Sequence, residues 1–134
     1  MHYILDTSVY SQPLRRSPVE AALLHWRDAG DNACCISIVT AAELDYGLVA
    51  ENREERWAKY RALLEDRLTI LETTQEVWRE FARRKTRQHR LGHVVADLDL
   101  LIAATAIVHG LTVATLNIND FARIEGVAWE DWSC

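Results

Sequence analysis

The sequence is poor in the features that mark several protein classes. Only two of its 134 residues are proline, which excludes a collagen-like repeat or a proline-rich disordered tract. The cysteines number three, Cys34, Cys35 and Cys134. They form no C-x-x-C pair and no Cys/His spacing suited to zinc, and their odd count opposes a disulfide framework. Burial in a strand is the expectation for Cys34 and Cys35. The longest apolar run, Leu100–Val108, is interrupted by Thr105 and reaches only half of a membrane span. The opening Met1-His2-Tyr3-Ile4-Leu5-Asp6 lacks the basic, apolar and small-residue sections of a signal peptide, so a cytoplasmic protein without a membrane segment is expected.

What is present is an ordinary globular composition, 49% hydrophobic and 26% charged, consistent with one domain over residues 1–134. The net charge of −5 is unevenly spread. Arg79, Arg83, Arg84, Lys85, Arg87 and Arg90 stand against the single acid Glu80. After Leu91, Asp97, Asp99, Asp120, Glu125, Glu130 and Asp131 face only Arg123. A basic stretch beside an acidic third suits a polyanion held near a cation-filled pocket, with Arg83, Arg84 and Arg87 as candidate nucleic-acid contacts. A solvated helix face accounts for the same charges.

Apolar Tyr3-Ile4-Leu5 reads as a buried strand ending at Asp6. Ser17-Pro18-Val19-Glu20 reads as a helix start that runs to Gly30. Cys35-Ile36-Ser37-Ile38 is a second strand, and Thr40-Ala41-Ala42-Glu43 has the pattern of a capping box opening a helix through Leu48. Helical stripes follow through Trp57, Tyr60 and Leu64 and through Val77, Trp78 and Phe81, with a strand at Leu68–Leu71 between them. A helix from about Leu98 to His109 stops at Gly110, and Leu111–Thr115 returns as a strand. Strands alternating with helices, without a hairpin dipeptide, predict an α/β domain: a central parallel sheet with helices on both faces.

Ligands of open parallel sheets bind beyond the carboxyl ends of the strands. The sequence delivers acids there from distant segments: Asp6 after the first strand, Glu43 early in the next helix, Asp97 and Asp99 at a helix start, and Asn117, Asn119 and Asp120 after the last strand. Each acid alone has a local explanation, Glu43 in its capping box, Asp97 as an N-cap, Asp99 beside a helix dipole and Asp120 capping a turn. Together, converging carboxylates repel and raise one another's pKa, and a hard divalent cation relieves that cost. Oxygen-only ligands suit Mg²⁺ or Mn²⁺.

Leu5-Asp6-Thr7-Ser8, Ser37-Ile38-Val39-Thr40-Ala41-Ala42-Glu43-Leu44 and Asp99-Leu100-Leu101-Ile102-Ala103-Ala104-Thr105-Ala106 with His109-Gly110-Leu111-Thr112 resemble the PIN-domain ribonucleases, in order and over essentially the whole chain. The tail Asn117-Ile118-Asn119-Asp120-Phe121 with Trp129-Glu130-Asp131-Trp132 resembles the VapC-type toxins of toxin–antitoxin pairs. The resemblance implies an Mg²⁺-dependent endoribonuclease with Asp6, Glu43 and Asp99 as metal-binding catalytic acids. The fourth acidic position falls at Asp120 or at Asn117. Asp97 would be accessory, and the Thr7 hydroxyl would bond Asp6 or a metal-bound water. A homodimer and a cognate antitoxin protein that masks the site are implied with them.

Two other readings compete. A phosphatase with an aspartyl nucleophile normally carries a second acid two residues after the first, where this chain has Ser8. A non-catalytic RNA- or protein-binding domain of the same fold has no use for Asp6, Glu43 and Asp99 together.

Overall fold

The computed structural model describes residues 1–134. Five short strands form one sheet: β1 (Tyr3–Leu5), β2 (Cys34–Ser37), β3 (Thr69–Leu71), β4 (Thr112–Thr115) and β5 (Ala128–Asp131). Their order is β3-β2-β1-β4-β5, and every neighbouring pair is parallel. The connecting helices are α1 (Thr7–Tyr10), α2 (Glu20–Ala29), α3 (Ile38–Glu51), α4 (Glu54–Leu63), α5 (Gln75–Leu91), α6 (Asp97–His109) and α7 (Ile118–Ala122). The chain builds outward from β1 to β3, then returns to the other side of β1 to lay down β4 and β5. The reversal falls between β1 and β4, the kind of crevice where open α/β sheets bind ligands.

Side chains alternating along each strand divide the interior into two cores. Ile4, Cys35 and Val113 face one way, against Val77 of α5 and the buried Leu100–Ala106 of α6. Leu5, Cys34, Ile36 and Ala114 face the other, against Ala22 and Trp26 of α2 and Leu64 after α4. Helix α6 is apolar almost all round because the sheet, α5 and α7 enclose it. Cys34 and Cys35 are buried free thiols, as expected of strand residues here.

The helix starts differ from the sequence reading. Helix α2 begins at Glu20, not at Ser17-Pro18, because the Val19 N–H is taken by the Gln12 side-chain oxygen at 2.8 Å, which holds Val19 extended. Helix α3 begins at Ile38, where the strand was expected to end. Its cap is Ser37, whose Oγ accepts from the Val39 N–H at 3.1 Å, so Thr40 and Glu43 lie inside the helix and form no capping box. Asp97 is not the cap of α6; Ala96 holds that position, and Asp97 pairs with Lys85 Nζ at 3.0 Å. Asp120 lies within α7, after Asn117 at the cap position, and caps no turn itself. Strand β5, carrying Glu130 and Asp131 on a half-exposed edge, has no apolar run to announce it.

Candidate active site

The site forms where β1 and β4 end side by side. Leu5 pairs with Ala114, and the Asp6 N–H continues the ladder to the Ala114 carbonyl at 3.1 Å. Asp6 is buried and serves as the N-cap of α1. One carboxylate oxygen accepts from Ser8 Oγ at 2.6 Å and from the Val9 N–H at 3.1 Å. The other accepts from Thr115 Oγ at 2.6 Å. Burial pushes its pKa upward, while the bonds from Ser8, Thr115 and Val9 draw it back toward the charged form.

Glu43, two turns into α3, accepts from Thr7 Oγ at 2.6 Å. Thr7 therefore orients Glu43 and leaves Asp6 to Ser8 and Thr115. Asp99 lies in the first turn of α6 and Asp120 in α7. Burial raises the Asp99 carboxyl to about 6, and the charges of Asp120, Asp6 and Glu43 add to the rise. These four acids from four segments thus share one electrostatic field. No lysine or arginine is bonded to any of them. Asn117 is exposed; its N–H donates to Thr115 Oγ at 2.8 Å, tying it to the hydroxyl that holds Asp6. Sequence gives little notice of Ser8 and Thr115 as holding residues, only a hydroxyl two positions after Asp6 and another at the end of β4.

As placed, no three acidic, histidine or cysteine side chains gather closely enough to ligate one ion directly. The donor chemistry nevertheless fits a hard divalent cation: every side-chain donor is oxygen, and Asp99 is destabilised as a carboxylate by burial and then by its acidic neighbours. Mg²⁺ keeps several waters and needs only one or two carboxylates, so a spread set of acids suits it. Beside Thr7 and Glu43 opens an apolar groove of about 640 Å³, walled by Ile38, Val39, Ala42, Tyr46 and Leu98.

The basic residues of α5 are largely engaged elsewhere. Arg83 and Arg84 pair with Glu80 at 3.0 and 3.1 Å, and Arg84 also donates to the Glu125 carbonyl. Arg87 pairs with the Glu125 carboxylate at 3.0 Å. With the buried Gln88, which bonds the Arg123 carbonyl and the Glu125 N–H, Arg84 and Arg87 clamp the segment between α7 and β5 onto α5.

Comparison with known proteins agrees with this fold. The family model described as PIN domain matches residues 3–127. Ribonuclease VapC2 of Haemophilus influenzae is 31% identical over 98% of both chains. The tRNA(fMet)-specific endonuclease VapC of Shigella flexneri is 27% identical over 99% of both. Among solved structures, VapBC2 from Rickettsia felis, bound to a DNA fragment from its promoter, superimposes with a TM-score of 0.87 at 28% identity, covering 98% of this chain and 99% of that one. The chain belongs to the PIN-domain family, among its VapC-type members.

Proposed function

We propose that the protein is an endoribonuclease toxin of a toxin–antitoxin pair. It would hydrolyse RNA phosphodiester bonds in the cytoplasm with Mg²⁺, or Mn²⁺, held by Asp6, Glu43 and Asp99 and supported by Asp120. The observation that carries this reading is that four carboxylates from four segments meet at the β1–β4 crevice with no basic partner, where burial first, and then the charges of Asp120, Asp6 and Glu43, raise Asp99 to about 6. An arrangement that costs the bare protein stability is explained by a cation bound there. The names of the VapC relatives support RNA as substrate, and the VapBC complexes support an antitoxin partner.

A bound divalent cation supplies a nucleophilic water at neutral pH and neutralises charge on the phosphate. The chain's own part is orientation. Ser8, Thr115 and the Val9 N–H fix the position of the Asp6 carboxyl, and Thr7 fixes Glu43. Asn117 and Asp97 stand at the margin of the site, Asp97 already engaged by Lys85. The exposed Tyr46 and Val49 of α3 and Leu98 of α6 leave apolar surface for a second copy of the chain, as a homodimer requires.

The test is RNA cleavage by wild type, Asp6→Asn and Asp99→Asn, each in Mg²⁺ and in EDTA. Cleavage by wild type in Mg²⁺ alone is expected, with a loss of about 100-fold or more in each variant. Undiminished cleavage in EDTA, or by Asp99→Asn, would overturn the assignment.

A further inference from the structure

The acidic pocket has a second exit. From Thr7 and Glu43 a narrow groove of about 250 Å³ runs along α3 past Leu44, Gly47 and Leu48 to Arg15 and Arg56. There it opens into a wider groove of about 560 Å³, with Leu14, Arg15, Glu51 and Arg56 common to both and Arg16, Arg53 and Lys59 on its walls. Five cations and two carboxylates line this far end, a surplus of three positive charges on a chain whose net charge is −5.

The cations divide into a frame and a free set. Arg56 pairs with Glu51 at 3.1 Å and donates to the Leu14 carbonyl, fastening the turn Gln12–Leu14 to α4. Arg53 pairs with Glu55 at 2.5 Å. Arg15, Arg16 and Lys59 make no ion pair and no side-chain hydrogen bond. Arg83, Arg84 and Arg87 of α5 differ on both counts: they are paired, and the groove they line shares no residue with those that reach Glu43.

Gly47 gives an independent indication. It lies in the middle of α3, where glycine weakens a helix relative to alanine. Neither of the usual reasons applies: its φ is not positive, and an added Cβ would meet no atom within 4 Å. What lies over Gly47 is the narrow part of the groove, which the missing side chain keeps open.

We propose that this basic arm, with Arg15, Arg16 and Lys59 as the contacts and Gly47 as the opening, is a subsite for backbone phosphates of the RNA strand on one side of the bond to be cut. The inference rests on the nuclease reading and adds where the substrate lies. Carboxylates at the pocket repel a polyanion, so its grip must come from cations a short way along the strand. Free guanidinium and ammonium groups supply that grip without base selectivity.

The experiment measures binding of a labelled single-stranded RNA across a salt series, using Asp99→Asn as the uncleaving parent. Adding Arg15→Ala, Arg16→Ala and Lys59→Ala is expected to flatten the slope of log K against log salt by roughly 0.7 per lost contact, about two units in all. Arg83→Ala, Arg84→Ala and Arg87→Ala together are expected to leave the slope in place. Gly47→Leu, a substitution the backbone accepts, is expected to weaken RNA binding with thermal stability retained. In the cleaving protein the Arg15/Arg16/Lys59 changes should raise KM for a long RNA and spare kcat, with a dinucleotide substrate unaffected. An unchanged salt slope in a triple variant that melts like its parent overturns the inference, even if RNA is still cleaved. An unchanged slope combined with lost binding of a partner protein overturns it too, and makes the arm a protein dock. A flattened slope, with no RNA cleaved by the wild-type protein in Mg²⁺, upholds the subsite and defeats the nuclease reading instead.

Discussion

Thr115 Oγ donates to Asp6 Oδ2 at 2.6 Å, joining the ends of β4 and β1 across 109 positions of sequence. The same Thr115 oxygen accepts the Asn117 N–H at 2.8 Å, so one fully buried hydroxyl orients an acid and starts the turn into α7. Thr115→Val keeps the shape and removes both bonds, leaving a buried carboxyl short of a donor. A buried polar group left without its partner costs about 1–3 kcal/mol, so a loss of about that size is expected in urea unfolding. Thr115→Ser should restore most of it. Equal stability of the Val and Ser proteins would show that the hydroxyl does nothing for Asp6.

The difference between what sequence reveals and what it hides is visible in these residues. Short runs rich in apolar residues, such as Tyr3–Leu5 and Leu111–Ala114, announce the central strands, because a strand covered on both faces is built mostly of apolar side chains. Asp6 is legible for the same reason, standing where the apolar run of the first strand stops. Helix starts are not, because they turn on which oxygen wins an N–H: Gln12 captures that of Val19, and Ser37 outcompetes Thr40. Edge strand β5, half exposed, leaves little hydrophobic pattern to read. The partners of the α5 arginines are equally hidden, since Glu125 reaches them only through the fold.

Gln88 sits unseen within that basic stretch. It is buried, its amide donating to the Arg123 carbonyl at 2.6 Å and its oxygen accepting the Glu125 N–H at 3.2 Å. Gln88→Leu removes both bonds. A loss of about 1–3 kcal/mol is expected from two hydrogen bonds at about 0.5–1.5 kcal/mol each, read as a lower urea midpoint. Arg83→Ala, at an exposed pair on the same helix, should change stability by no more than about 0.5 kcal/mol. Similar losses in the two variants would contradict the clamp.

At Gly47, alanine separates folding from function. The helix has normal geometry there and the Cβ meets nothing, so Gly47→Ala should stabilise the protein by about 0.5–1 kcal/mol through the lower entropy of the unfolded chain. A fall in thermal stability instead would mean that the position is packed more closely than the structure has it.

Asp99 gives the sharpest pH dependence. Burial, and then Asp120, Asp6 and Glu43, raise its carboxyl from an ordinary 3.8 to about 6. A carboxyl whose pKa is higher folded than unfolded favours the folded state only while protonated. Its stabilising contribution is therefore full below about 3.8 and is lost as pH rises through about 6. In EDTA, wild type should lose stability across that window relative to Asp99→Asn, which has nothing to ionise there. At pH 7 the variant should be the more stable by about 1 kcal/mol, less than the full shift implies because the carboxyl keeps some contact with solvent. Adding Mg²⁺ should reverse the advantage, since a ligand stabilises by RT ln(1 + [L]/Kd) and the variant has lost a charged donor. The measurement is thermal unfolding of both proteins from pH 4 to pH 8, with EDTA or with Mg²⁺. If the two curves run parallel in EDTA, Asp99 does not carry the repulsion. If Mg²⁺ shifts both proteins equally, Asp99 does not hold the ion.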